Sequence, residues 1–508
     1  MISGIARIFQ SANPASLIGG DSNGDMISAN GKKTQSGFLT MEILLAMTVA
    51  VFALAGAVLV AFGGQSLDIG TAQNSEALVL AKEMIADRQA AAADDFRLVN
   101  STGTQTGIFT QKTEVSTHSF FTKKITASVS WDFGGRRQKV ILQTLISDWR
   151  GTAGNDTCDS NLSGDWKNPQ VEHFDFAVLS ETASSTISGI NAYKNKLYVA
   201  VEDTSINTDP TLFIFNIFDS KNLSLFQRSG NDIGKANALE TDNDFIYLAG
   251  KSSVNQLQIA DRNGAFVSAL ELKDAGGNDC KKTGVSIFYK DNYAYLGLSE
   301  DDICPELNII NVQNRDSPII AGRFEVGAKI NGIYVKGNYA YLATADSNRE
   351  LIIIDITNPS APTFVADYNL LPDQTKWGYG KTVKIIGSRI YFGRTYIANS
   401  PEFYLFDHKK LSIDLLGNYS DNGDPFSVND IIIRDNLAFI LAGSASQGGD
   451  LRILDIADPA NIVEEKIVGL PGEAGGRGGV AMDCEGNYLY VASVDGQGKS
   501  YLSVITAK

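Results

Sequence analysis

Few residues of this 508-residue chain are spaced to do chemistry. His118, His173 and His408 lie far apart and leave little material for a metal site or a histidine-based triad. Ser184-Ser185 lacks the Gly-x-Ser-x-Gly setting of an exposed nucleophile. Asp421-Asn422-Gly423-Asp424 offers oxygen ligands, but no glutamate follows at the offset a calcium loop requires, so it reads as a turn. Glu300-Asp301-Asp302 reads as a solvated loop. Four cysteines, Cys158, Cys280, Cys304 and Cys484, form no C-x-x-C motif. An even count in an exported chain permits disulfides. Cys280 and Cys304 flank one inner hairpin of the repeat described below, so they are the first pair to expect. Cys158 would then join Cys484, although three connectivities, and free buried thiols, stay open. No catalytic residue, metal site or cofactor is expected. One carboxylate stands out: Glu42 interrupts FLTMEILLAMTVAVFALAGAVLVAF, residues 38–62. At about 1.5 Å per residue such a helix is long enough to cross a bilayer. An acid there is costly and marks function.

Lys32 and Lys33 precede that run, which predicts a single pass with the C-terminal bulk outside. Gly37, then Phe38, then Glu42 at the fifth position of the apolar run resembles the leader of type IV pilins and type II secretion pseudopilins. The resemblance implies cleavage between Gly37 and Phe38 by a prepilin peptidase, which also methylates the new amine. It implies that Glu42 neutralises the amine of a neighbouring subunit during assembly, since both charges are costly alone in lipid. Residues 1–37 would be the leader, with Met26 a possible true start.

The elements around these residues fall into distinct stretches. Residues 63–150 continue the helix through SEALVLAKEMIADRQAAAADDF, with Leu78, Ala81, Met84 and Ile85 as its apolar stripe and Ser75 as a cap. Three alternating runs follow, broken by Gly134-Gly135, and together suit a small α+β pilin-like domain. Residues 151–170 are polar and rich in Gly, Asn and Asp, and read as a linker. Beyond them a short β run recurs, with aromatics at Tyr198, Tyr247, Tyr295, Tyr341, Tyr391, Phe439 and Tyr490. The spacings of 46 to 51 residues fit four strands per unit, and seven units predict a β-propeller over 171–508. The last unit lacks an outer strand, which HFDFAVLS, 173–180, can supply to close the ring. LIIIDITNPSAPTFVADY, 351–368, resembles the LVIVD-type propeller repeat; 451–468 and 307–324 are weaker copies.

The fold class expected is therefore multi-domain: a long N-terminal membrane α-helix, a small α+β pilin-like domain, and an all-β seven-bladed propeller. A net charge of −15 argues against nucleic acid as a partner. The expected function is non-enzymatic: a minor pilin or pseudopilin in a type IV pilus-like filament, displaying the propeller for extracellular binding or adhesion. Its partners would be the prepilin peptidase and methylase, other pilin subunits, membrane lipid along 38–62, and an unknown protein, glycan or surface. It would sit in the cytoplasmic membrane before assembly and in a surface filament afterwards. The alternatives are a membrane-tethered propeller enzyme, hydrolase or quinoprotein-like, and an envelope-retained secretion pseudopilin.

Overall fold

The computed structural model describes residues 70–94, 99–119, 122–133, 135–147 and 164–508, the last with short loop stretches left out, together with Met47, Ala50 and Val51. Helix α1, Gly70–Asp94, faces a four-stranded antiparallel meander: β1 Thr102–Thr106, β2 Phe109–Ser119, β3 Thr122–Phe133 and β4 Arg136–Ser147. Ala77 and Ala81, with Leu80, Met84 and Ile85 beside them, meet Phe109, Val129 and Trp131 of the sheet. Small alanines let the helix approach the sheet closely, so Ala77 takes the place expected of Leu78. Ser75 lies inside the helix, which begins five residues earlier.

The expected long membrane helix is corrected here, and with it the single-pass localisation. Among the described residues no helix is long and apolar enough to cross a membrane. A span needs about 20 apolar residues in succession. Helix α1 carries Glu76, Lys82, Glu83, Asp87, Arg88 and Asp94 along its 25 residues, and α2, Phe176–Ser180, has only five. Gly37, Phe38 and Glu42 lie outside the described residues, as does most of 38–62. The described chain is nearly all β, with two helices and eight four-stranded sheets.

Seven of those sheets are the blades of a propeller. Their innermost strands are Ser185–Tyr193, Ala236–Thr241, Gly284–Lys290, Ile330–Lys336, Gly380–Ile386, Phe426–Arg434 and Gly478–Glu485. Each neighbours the next, and the seventh neighbours the first, so the ring is closed. In blades one to six the strands follow chain order. In the seventh, the outer position is taken by β5, Gln170–Asp175, which pairs antiparallel with Ser500–Thr506 from Tyr501↔Asp175 to Thr506↔Gln170. The closing strand thus starts and stops earlier than the 173–180 expected. Asp175 then caps α2, its Oδ1 accepting the Ala177 N–H at 3.1 Å.

The second and third strands of each blade read as continuous apolar runs, such as AYLAT and LIIID, because a neighbouring blade covers each face. The core is accordingly divided. Seven hydrophobic clusters fill the seven blade interfaces, and two smaller ones serve the helix and meander. Two outer strands closely approach a proline-containing loop of the next blade. A Cβ on Gly322 would collide with the Pro359 carbonyl of the next blade, and one on Gly417 with that of Pro459. Glycine is required at both outer strands for that reason.

The segment read as a linker ends inside the propeller. Asp165 and Lys508 exchange two backbone hydrogen bonds, at 3.0 and 3.2 Å. Trp166 is 4% exposed and packs edge-on against Phe439, ring centres 5.1 Å apart.

Candidate functional site

The inner strands each carry a bulge one to three residues from their start. The register slips at Ser188, Asn237, Val285, Asn331, Lys381, Asn429 and Val480. These seven half-buried residues form a ring lining the central channel, a cavity of about 730 Å³. A bulge leaves its residue outside the ladder and re-aims the side chain. Five of the blades use the region to latch onto the next. Ser188 Oγ donates to Ala236 O (2.6 Å), Asn237 Nδ2 to Gly284 O (2.6 Å), Ser286 Oγ to Ile330 O (2.9 Å), Asn331 Nδ2 to Gly380 O (2.7 Å) and Asn429 Nδ2 to Gly479 O (2.7 Å). The channel wall is thereby fixed before any ligand arrives.

Three residues further along, roughly 10 Å deeper by strand rise, Asn191, Glu240, Lys384 and Asp483 line the same channel, with Asp430 two residues nearer the bulge ring. Lys384 Nζ stands 3.8 Å from Asp430 Oδ1. Asp483 Oδ2 accepts from Asn191 Nδ2 (3.0 Å) and Ala192 N (2.6 Å), and Thr241 Oγ1 donates to Asn191 Oδ1 (2.6 Å). These side chains stay half-exposed because the channel admits water, yet protein surrounds them. That surrounding protein pushes Glu240 up to about 8; Lys384 pulls the other way, while Asp483 and Asp430 add to the rise. Burial opposes the charge on Lys384, but Asp430, Glu240 and Asp483 outweigh it and raise its pKa.

The residues singled out from sequence do not meet here. His173 Nδ1 lies 2.8 Å from Ser503 Oγ in the closing strand pair, and His408 Nδ1 lies 2.8 Å from Tyr341 OH. Burial lowers both pKa values, as suits neutral structural imidazoles. His118 lies in β2. Cys280 and Cys304 form a disulfide within the core between blades two and three. Cys484 is disulfide-bonded as well, and Cys158 lies outside the described residues. Asp421 and Asp424 do hold a cation, the guanidinium of Arg452, at 2.8 and 2.7 Å. Asp450 and Glu464 complete its shell at 3.1 and 3.0 Å. Burial disfavours the Arg452 charge, and these carboxylates overcome it.

Two buried acids outside the channel, Glu306 and Glu350, are bound up in structure. Glu306 Oε2 accepts from Val326 N (2.9 Å) and Gly327 N (3.0 Å). Glu350 Oε2 accepts from Leu370 N (2.7 Å), while its Oε1 lies 2.8 Å from Arg394 Nη2. Burial pushes Glu350 up to about 7. Such acids precede the third strand of their blades and staple its entry to the crossing loop. Among the described residues no cluster of three or more His, Cys, Asp or Glu is arranged to hold a metal.

A ring of seven four-stranded sheets defines the class, a seven-bladed β-propeller with a polar axial channel. Residues 328–370 and 427–469 match the LVIVD repeat, covering the fourth and sixth blades; the weaker copy expected at 307–324 lies outside both matches. No curated protein matches the chain. Similar solved structures include a Pseudomonas aeruginosa periplasmic gluconolactonase, at 10% identity over 56% of this chain and 88% of that one, TM-score 0.42. The CNH domain of AfRom2 is similar at 10% identity, over 67% and 99%, TM-score 0.40. A luciferin-regenerating enzyme is similar at 10% identity, over 67% and 96%, TM-score 0.37.

Proposed function

We propose that this chain is a non-enzymatic binding protein whose propeller holds its ligand or partner at the axial channel. The observation that carries this reading is the wall of the channel: a ring of side chains at seven bulges, fixed by latches between blades. Binding to a surface already in place spares the cost of ordering it. Outside the channel, Glu350 is held by a backbone amide and an arginine, and His173 and His408 by hydroxyls. Val285 lies on the ring and makes no latch, so Val285→Trp plugs the channel and leaves the latches intact. Saturation-transfer NMR against a panel of small molecules and short peptides provides the test. Compounds bound by the wild type should lose their signal with V285W. Equal binding by both proteins, or conversion of a compound to product, would overturn the reading.

The alternative of an enzyme on the same propeller is the outcome that product formation would report. A second reading concerns the N-terminal segment: a minor pilin or pseudopilin, processed between Gly37 and Phe38 and assembled through Glu42, displaying the propeller for binding or adhesion. It draws support from α1 packed on a single antiparallel meander. The buried Cys280–Cys304 disulfide adds support, since such bonds persist in oxidising compartments. This reading carries no claim of a membrane-spanning segment. Mass spectrometry after co-expression with a prepilin peptidase tests it: a methylated Phe38 terminus is expected from the wild type and an uncut chain from Gly37→Ala. An uncut wild type removes it.

A further inference from the structure

The channel is not electrically uniform along its axis. At the mouth where the inner strands begin, Lys329 and Lys381 line both the channel and an adjoining cavity of about 670 Å³. Ser299 and Asn331 are shared by the two, and Tyr379 and Thr395 add hydroxyls to the outer one. The third lysine lining the channel, Lys384, faces Asp430 at 3.8 Å, and the channel-lining Glu202 is taken by Lys251 at 3.2 Å. Among the described residues Lys329 and Lys381 make no ion pair. Among the described residues lining the outer cavity, the carboxylate of Glu300 is matched in number by Lys282.

Lys381 occupies the bulge position that is Ser, Asn or Val in the other six blades. The Asn331 latch fixes the carbonyl of Gly380, directly before it. Its ammonium group is therefore presented from a braced backbone. Burial lowers its pKa, and the charge of Lys329 lowers it further. Two half-buried cations of one sign repel, and among the described residues no ion pair offsets that cost. A chain with a net charge of −15 repels anions in general. A cationic mouth on such a chain is a local feature that selects by short-range contact.

We infer that this mouth is an oxyanion site: Lys329 and Lys381 bind the phosphate or carboxylate groups of a small hydrophilic ligand, with the hydroxyls of Ser299 and Thr395 as further donors. Deeper in the channel the sign reverses: Asp430 and Asp483 stand against Lys384, while Glu240, held near 8, is largely protonated at pH 7. The acidic floor keeps the anion at the lysines and disfavours its passage along the axis. The inference rests on the channel being the binding locus and goes beyond it by naming the ligand's chemistry.

Isothermal titration of the full chain with inorganic phosphate, with citrate and with neutral glycerol tests the site. Citrate binding alone points to a carboxylate ligand, phosphate binding alone to a phosphoryl one, and either supports the site. Lys381→Gln and Lys329→Gln should each weaken the bound anion roughly 10- to 100-fold, as expected for loss of one charge-assisted hydrogen bond. Raising salt from 50 to 500 mM should weaken it in the wild type. Circular dichroism melts confirm that each variant folds. No anion binding, or binding unchanged in the double variant, overturns the inference. In that event, a panel compound that V285W displaces and the lysine variants retain would leave the channel reading intact and the anion assignment refuted.

Discussion

The strap before the first blade offers a direct test of how the ring is held shut. Trp166 inserts among Phe439, Leu441, Met482, Leu489 and Ile505, side chains of blades six and seven. Truncating a buried tryptophan to alanine costs about 3–5 kcal/mol through lost burial and the cavity left behind. The edge-on contact with Phe439 adds roughly 0.5–1.5 kcal/mol. Against this, the indole Nε1–H has no hydrogen-bond partner, and an unpaired buried donor costs about 1–3 kcal/mol. Trp166→Ala is therefore expected to destabilise the propeller by about 3 kcal/mol. Trp166→Phe keeps a ring against Phe439 and deletes the unpaired donor, so its loss should stay within about 1.5 kcal/mol. Urea unfolding of the full chain followed by far-ultraviolet circular dichroism reads the difference, because the blades supply most of the strand signal. A W166A midpoint matching wild type, or a W166F loss as large as that of W166A, would refute the packing argument.

Three further outcomes follow from other contacts. Replacing Cys280 and Cys304 together by alanine opens a link across a sequence separation of 24 and should cost about 3–4 kcal/mol in the chain-entropy account, read as a lowered melting temperature under non-reducing conditions. Arg452→Met leaves Asp421, Asp424, Asp450 and Glu464 facing one another. It should destabilise by about 3–5 kcal/mol at pH 7 and markedly less near pH 4, where carboxylates protonate, as paired melts at the two pH values would reveal. Glu240 is held near 8 in the folded protein against an ordinary value of 4.5, so the folded state binds the extra proton between those limits. Stability from this group is complete below about 4.5 and is lost as pH rises towards 8. Glu240→Gln should match wild type at pH 5 and exceed it at pH 8, and a wild type equally stable at both would contradict the shift.

The blades were legible because their second strands repeat an aromatic within an apolar run, and seven copies at nearly constant spacing admit few other architectures. The channel was not. Its lining residues share no type, running Ser, Asn, Val, Asn, Lys, Asn, Val around the ring, and each sits at a bulge that breaks the two-residue alternation by which a facing side chain is recognised. A signal did exist in Ala-Asn-Ala, Ile-Asn-Gly and Val-Asn-Asp, spaced 94 and 98 residues apart at Asn237, Asn331 and Asn429. It marks every second blade and so escapes a search at the period of one. Trp166 was hidden because a single apolar side chain cannot outweigh the polar composition around it. The cation at Asp421 and Asp424 was hidden because Arg452 lies 31 and 28 residues away in the sequence.

Gln170–Asp175 is made before any blade, yet its partner Ser500–Thr506 is among the last segments synthesised. At ribosomal rates of about 5–20 residues per second, roughly 330 intervening residues take on the order of 15–65 seconds. Throughout that interval the nascent protein carries an orphan strand at one end and an unfinished toroid at the other. The cell must either shield that edge or deliver the polypeptide unfolded to where it matures, and the final clasp is an event of completed chains.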